Sequence, residues 1–585
     1  MTASARAAWL RPAGLAFAGL AALLLLVAAP SIAAARYPDP DDVLRMVQVR
    51  DLLAGQGWFD LTQHRLDAPA GGVATHWSRL VDLPLAGLIF ILAPLLGQPL
   101  AETVAAVAVP VLTFGCALLL VGRLAARLCG PDTVLYACLA LALSVPVLSQ
   151  VLPLRIDHHG WQIVLALAAL AGVLSRDAVR GGWLAGVALA AWLAISLEGL
   201  PMTAAVGGVL ALRWLRDRAA KAWFVNAMLG LAGAGVALFL ATRGLGDLAV
   251  HCDAISPVHL AVFGWAALGA VALARLDPAS RPVLPAGLAA IAGGGAAILL
   301  AAAPQCADGG FAGMDPLVES FWYRGIGEGQ PLWRQSPTVA LQALIAPLLG
   351  LAGVHALWRG ATDVGARARW LDYALLLGAA LAVTLMVTRA GAVAGAFAAV
   401  PFGWLIRRWL GALRGARPAL QAGVLVAVVA VALFMVLPGA RFRERPSAAS
   451  PPVAAQRASE CGVAQAGPML SALPRGEILA PMDIGPRLLL DTPHTVVASA
   501  HHRGEAGMRL AIELFLGAPE RARTALAARG TAYLALCPDS NEAARFRSAA
   551  PEGFLARLAD DEAFDWLQPL AVPASSNLRV WRIVR

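Results

Sequence analysis

Apolar runs of about 18 or more residues recur from Leu10 to Pro438, each long enough to span the hydrocarbon core of a bilayer. A chain with many such runs can satisfy its backbone in lipid only as a bundle of helices, so a mainly α, polytopic membrane fold is expected. Composition agrees, with 59% hydrophobic and 14% charged residues; soluble domains are about a quarter charged. The 585 residues are therefore not three or four soluble domains. The net charge of +9 does not point to nucleic acid either. The Arg residues sit in short loops between apolar runs, which sets topology and leaves no basic stripe interleaved with aromatics.

Spans are expected near 12–34, 101–122, 133–151, 162–175, 181–198, 200–213, 223–241, 258–273, 284–303, 338–357, 370–388, 391–406 and 419–438. The first could instead be a cleaved signal peptide ending at Ala33-Ala34-Ala35; a first transmembrane helix is preferred because later helices keep the chain in the membrane. Alternate loops carry two or more cations, as in Arg123/Arg127, Arg213/Arg216/Arg218/Lys221 and Arg407/Arg408. The opposite short loops carry one at most, such as Arg155 or Arg389. The positive-inside rule places the first set in the cytoplasm. Counting Leu83–Leu96 as a span would invert every later loop, so it reads as an interfacial or re-entrant helix on the outer side.

Residues 1–440 thus form a transmembrane domain with outer loops 36–100, 152–161 and 304–337, followed by a polar linker, 441–455, and an outer domain, 456–585. In that last domain, strand-like runs (Ile478–Pro481, Thr495–Ser499, Tyr533–Cys537, Leu578–Val584) alternate with helix-like ones (Ala506–Leu516, Pro519–Ala528, Glu552–Asp560), which predicts α/β. Cys252, Cys306, Cys461 and Cys537 fall outside, where they can form two disulfides or remain buried thiols. The localisation expected is the inner (plasma) membrane, with the active site and C-terminal domain extracytoplasmic.

Polar residues concentrate in the three outer loops. Asp157-His158-His159 would present Asp157 and His159 on one side of an extended segment. With an Asp of the first loop and His76, they offer hard oxygen and imidazole ligands for Mn²⁺ or Mg²⁺.

At these residues the chain resembles the GT-C glycosyltransferases, and among them the catalytic subunit of oligosaccharyltransferase in its archaeal and bacterial forms. That family has thirteen spans, acidic motifs in its first two outer loops, a large fifth outer loop and an outer C-terminal domain. Its first motif, an Asp with Arg and an acid nine and ten residues on, fits Asp41, Arg50 and Asp51; Asp39-Pro40 with Arg45 is the alternative. The resemblance implies Asp41, His76, Asp157 and His159 as metal ligands. It also implies Glu328 of Ile326-Gly-Glu-Gly-Gln-Pro as the acid of the fifth outer loop, with Glu319 as its rival. The family's Trp-Trp-Asp-Tyr-Gly acceptor motif corresponds to Ala480-Pro-Met-Asp-Ile-Gly, which keeps Asp483 and Gly485 and lacks both Trp residues.

The reaction implied is inverting, metal-dependent transfer of a sugar or oligosaccharide from a polyprenyl-(di)phosphate donor to a glycan, lipid or protein acceptor. Arg324 or Arg334 would clamp the phosphate, and Asp42 would orient or deprotonate the acceptor. Transfer of a single sugar to a lipid, cell-wall or capsule glycan is the nearest alternative. From other classes, a secondary transporter, which Glu198 between two spans would favour, and a non-catalytic scaffold are the alternatives.

Overall fold

The computed structural model describes residues 8–276, 282–307, 309–311, 313–413 and 461–584. The span expected at 419–438 and the linker 441–455 lie outside the described residues. Helix α1 is Leu10–Ala33 and α2 is Pro40–Leu53. The start of α2 follows from its sequence. Asp39 is extended and its carboxylate accepts the Asp41 N–H at 3.0 Å, Pro40 fits the first turn, and Asp41 and Asp42 face the positive end of the helix dipole. A small antiparallel ribbon, β1 (Thr62–Gln63) with β2 (Val73–Ala74), precedes α3 (Arg79–Leu96) and α4 (Gln98–Cys129).

The bundle continues with α5 (Val134–Ala142), α6 (Val145–Leu148), α7 (His159–Val173), α8 (Ala178–Ile195), α9 (Leu200–Arg216), α10 (Lys221–Thr242), α11 (Pro257–Leu276) and α12 (Val283–Ala302). After α13 (Pro316–Phe321) in the 304–337 loop come α14 (Pro337–Gly360), α15 (Val364–Met386) and α16 (Gly391–Leu413). Ten helices among the described residues are long and apolar enough to cross a membrane by length and composition: α1, α3, α4, α8, α10, α11, α12, α14, α15 and α16. Small residues let them approach closely. A Cβ on Gly186 of α8 would run into the Ala227 carbonyl of α10.

The continuous span expected at 133–151 is instead broken at Leu143–Ser144 into α5 and α6. Pro146 removes a donor there, and Ser144 is buried where its backbone turns. With its 15 residues α7 is about 22 Å long, short of the roughly 30 Å core. The irregular segment 149–158 between them carries Gln150, Arg155 and Asp157 into the interior, which a membrane fold tolerates where backbone lines a cavity.

The bundle has two polar ends. At one, Arg213 and Arg216 hold Asp372, Arg127 donates to the Leu174 carbonyl, and Arg407 pairs with Asp132. At the other lie the loops 36–100, 152–161 and 304–337 with the C-terminal domain. Both ends of α3 belong to this second end. Asp82 near its start meets Arg45 of α2 at 2.9 Å, and Glu102, just after its end, meets Arg50 of the same helix at 2.7 Å. Those arginines are five residues apart, about 7.5 Å along the helix axis, so the chain enters and leaves α3 at the same face. We expect cysteine-accessibility labelling to reach positions 41, 157 and 328 from one side and 180, 221 and 408 from the other. Labelling of 157 and 180 from the same side would contradict this arrangement.

The C-terminal domain comprises α17 (Val463–Ser471), β3 (Glu477–Leu479), α18 (Gly485–Asp491), β4 (Thr495–Val496), α19 (Glu505–Leu516), α20 (Pro519–Arg529), β5 (Tyr533–Leu536), α21 (Asn541–Ala549), α22 (Phe554–Ala559), β6 (Leu567–Leu570) and β7 (Arg579–Ile583). Its sheet runs β4-β3-β5-β7-β6, parallel across the first three strands and antiparallel beyond. One apolar cluster joins its Ile478, Leu488 and Val496 to Val43, Leu66 and Trp77 of the first outer loop. Another joins Met508, Phe515 and Phe546 to Val318 and Trp322 of the 304–337 loop. Cys252 is disulfide-bonded to Cys306 and Cys461 to Cys537, while Cys116, Cys129 and Cys138 are free.

Candidate active site

A cavity of about 1150 Å³ opens between the loops 36–100, 152–161 and 304–337, the C-terminal domain and the helix ends. Asp39, Asp41, His76, His159, Glu328 and Asp483 line it, with Arg389 and His501. Its floor is set by a buried charge network. Fully buried Arg45 donates to Asp82 at 2.9 Å and to Asp157 at 3.0 Å, and lies 4.6 Å over the Trp77 ring. Asp82 also takes Gln48 at 2.7 Å and Arg79 at 3.3 Å. Asp42 accepts the Asp157 N–H at 2.9 Å and the Arg155 guanidinium at 3.2 Å. It is buried behind the wall and its carboxylate is fully engaged, so it positions Asp157 and does not reach an acceptor as the sequence suggested. Burial pushes its carboxyl up to about 7 against the pull of Arg155.

Asp157 is at a bend rather than in an extended segment, and His159 opens α7. The His158 ring meets Asp157 Oδ1 at 2.6 Å, while Asp157 Oδ2 faces His159 Nε2 at 3.8 Å. Burial opposes ionisation of Asp157, but the two histidines hold its carboxyl well below the usual range. Asp41 moves the other way, raised by burial and by the carboxylates of Asp39 and Asp157. Glu328 Oε1 lies 3.7 Å from His159 Nε2 and 3.6 Å from Arg389, and its Oε2 is 3.9 Å from Arg155. Arg389 also pairs with Glu198 at 2.5 Å, and Gln162 links Glu198 to the His159 ring.

The residues singled out in the sequence divide three ways. Asp39, Asp41, Asp157, His159 and Glu328 converge. His76 lines the same cavity but belongs to a separate group with His501 and His502, its Nδ1 3.2 Å from His501 Nε2. Arg324 is spent on the exposed Glu319 at 3.2 Å, and Arg334 donates to Gln330, so neither reaches the cavity. The cations at the site are Arg155 and Arg389, which the sequence reading used only for topology. A single basic residue in a short loop between apolar helices is the signal that points to them. Asp483 lines the cavity, its own N–H held by Glu542 at 2.9 Å. Gly485 does not, and its lack of a side chain serves packing, since a Cβ there would strike the Ala498 carbonyl.

The donor set suits a hard divalent cation. Asp157, His158 and His159 each offer a ligand atom within 4.8 Å of one another. The carboxylates of Asp39 and Asp41 crowd the same spot, and their mutual repulsion is what a cation would relieve.

No family model matches the chain, and no curated protein matches it in sequence. Solved structures do. The oligosaccharyltransferase of Archaeoglobus fulgidus in its apo form superposes with a TM-score of 0.64 at 13% identity, over 91% of this chain and 69% of that one. The same organism's archaeal oligosaccharyltransferase AglB, in complex with an inhibitory peptide and a dolichol-phosphate, gives 0.63 at 12%, over 91% and 68%. A complex of the Archaeoglobus oligosaccharyltransferase with Zn and sulfate gives 0.60 at 12%, over 92% and 68%. The chain is a multi-pass membrane protein that shares its fold with these structures. Its similarity is to archaeal oligosaccharyltransferase, across nearly its whole length.

Proposed function

We infer that the protein is a metal-dependent membrane glycosyltransferase that moves a sugar or oligosaccharide from a polyprenyl-phosphate or -diphosphate donor to an acceptor on the outer face. The observation that carries this is the meeting of Asp41, Asp157, His159, Glu328, Arg155 and Arg389 around one large cavity roofed by the C-terminal domain. Solved structures of the same fold hold a dolichol-phosphate and an acceptor peptide. An outer position is supported by sidedness: both disulfides sit at the catalytic end and the arginine clusters at the other.

Asp157 and His159, with Asp41 or Asp39, would hold the cation, Mn²⁺ or Mg²⁺. When bound it would supply Lewis-acid neutralisation of the departing phosphate. Arg389 and Arg155 add positive charge beside Glu328 and receive the phosphate in place of Arg324 and Arg334. Glu328 holds both arginines and the His159 ring in position. The acceptor nucleophile attacks the anomeric carbon as the bond to phosphate oxygen breaks, inverting that centre. Its proton passes to whichever of Asp39 and Asp41 is not committed to the cation. Glu198, the residue that favoured a transporter, is tied to Arg389 and Gln162 and buttresses this site.

Transfer from a defined lipid-linked donor by the purified protein, abolished by chelator and restored by Mn²⁺ or Mg²⁺, tests the reading; full activity in chelator would overturn the metal's part. The acceptor is expected to be chosen without a sequon. Met482 is buried in the domain core and Pro481 offers no N–H, so neither supplies the donor that grips a hydroxyl. Asn-X-Ser/Thr and Asn-X-Ala peptides should therefore react alike. A preference for the former above about a hundredfold, roughly 3 kcal/mol, would show that another residue replaces the missing Trp pair.

A further inference from the structure

The second histidine group has no part in this mechanism, yet it is built as a site. His76 comes from the first outer loop, and His501 and His502 from the loop after β4. Their ligand atoms lie within 4.8 Å of one another, and all three rings line the cavity. His76 Nδ1 and His501 Nε2 face each other at 3.2 Å. Two ligands on one tetrahedral zinc, with bonds of about 2.0–2.1 Å, stand roughly 3.4 Å apart. Behind the group, Asp253 takes His502 Nε2 at 2.7 Å, which fixes that ring and leaves Nδ1 as its other candidate ligand atom. Arg503 holds Asp253 in turn at 2.6 Å. A carboxylate behind a histidine is the usual support of a ligating imidazole. His501 is 3% exposed and its Nδ1 is buried without a partner.

We propose that His76, His501 and His502 bind one zinc-class divalent ion, distinct from the cation at Asp157, with Asp253 supporting His502. Three nitrogen donors and no carboxylate select a borderline metal over Mg²⁺ or Mn²⁺. The ion ties the first outer loop to the C-terminal domain and keeps its fourth position open to the cavity. The Cys252–Cys306 disulfide anchors the loop that carries Asp253.

The test uses the whole protein, purified with a non-histidine tag, stripped by chelator and titrated with Co²⁺, then Zn²⁺. One equivalent of Co²⁺ should give the visible absorption of a four- or five-coordinate, nitrogen-rich centre, displaced by one equivalent of Zn²⁺. His501→Gln and His76→Gln should each weaken Zn²⁺ binding by a hundredfold or more, and Asp253→Asn by about tenfold. Asp157→Asn should leave the spectrum and the affinity unchanged. Zn²⁺ should also raise the melting temperature of the stripped wild type, but not of His501→Gln. Absence of the Co²⁺ spectrum, histidine variants that bind like wild type, or loss of the spectrum in Asp157→Asn would each overturn the proposal.

Discussion

Replacing Asp157 by asparagine is expected to lower transfer by about 10³-fold, roughly 4 kcal/mol of transition-state stabilisation, in protein that still folds. The two oxygens of this carboxylate do different things. Oδ1 is held by Arg45 and His158, while Oδ2 faces His159 Nε2. Asparagine keeps the shape and loses the charge that a cation needs. Because Asp157 also supports Arg45, lower activity alone would not separate chemistry from packing. Asp82→Asn makes that separation: it takes an equivalent partner from Arg45 without touching the cavity. We expect Asp82→Asn to lose stability and keep the turnover of its folded fraction, and Asp157→Asn to lose both. His159→Ala should fall with Asp157→Asn. Near-normal transfer by Asp157→Asn, or an equal loss of turnover in both carboxylate variants, would remove Asp157 from the chemistry.

The largest effect on stability is expected from Arg45→Met. Arg45 is fully buried, and its guanidinium is shared between two buried carboxylates and the Trp77 face. Methionine fills much of the space but takes the guanidinium from both carboxylates, leaving Asp82 with Arg79 at 3.3 Å and Asp157 with its histidines. Removing one member of a buried ion pair costs about 3–5 kcal/mol, because the charge left behind is uncompensated. The melting temperature in detergent should drop well below that of Asp82→Asn. The double variant Arg45→Met/Asp82→Asn should recover part of the loss, since it strands one carboxylate fewer. Unchanged melting of Arg45→Met would mean that water reaches the network and the charges are not buried in solution.

The bundle was legible because its signals are local. Twelve of the expected spans fall on helices or, at 133–151, on a broken pair, and run length with loop arginines was enough to place them. The strands β3, β4, β5 and β7 were legible as short apolar runs, whereas β6, Leu567-Gln-Pro-Leu, carries a proline and half-exposed residues that hide it. The site was only half visible. Asp157 and His159 stand two apart in one loop, but Arg155 meets Asp42 across 113 positions, and His76 meets His501 across 425. No periodicity links residues so distant. The fate of Arg324 was invisible for the same reason in reverse: Glu319, which neutralises it, was read as a rival catalytic acid.

The joining of the first outer loop to the C-terminal domain also governs how the protein is made. Arg65 donates to the Thr492 carbonyl, Leu66 pairs with Val496, and Arg529 grips Asp67 at 2.5 Å. Arg65 and Thr492 are 427 residues apart. At about 5–20 residues per second, a ribosome finishes the second partner roughly 20–90 s after the first. Through that interval Arg50, Arg65 and Asp67 are made but their C-terminal partners are not. A newly made chain therefore passes through an interval in which these contacts are absent, and the C-terminal domain is the last part added to the cavity it helps to line.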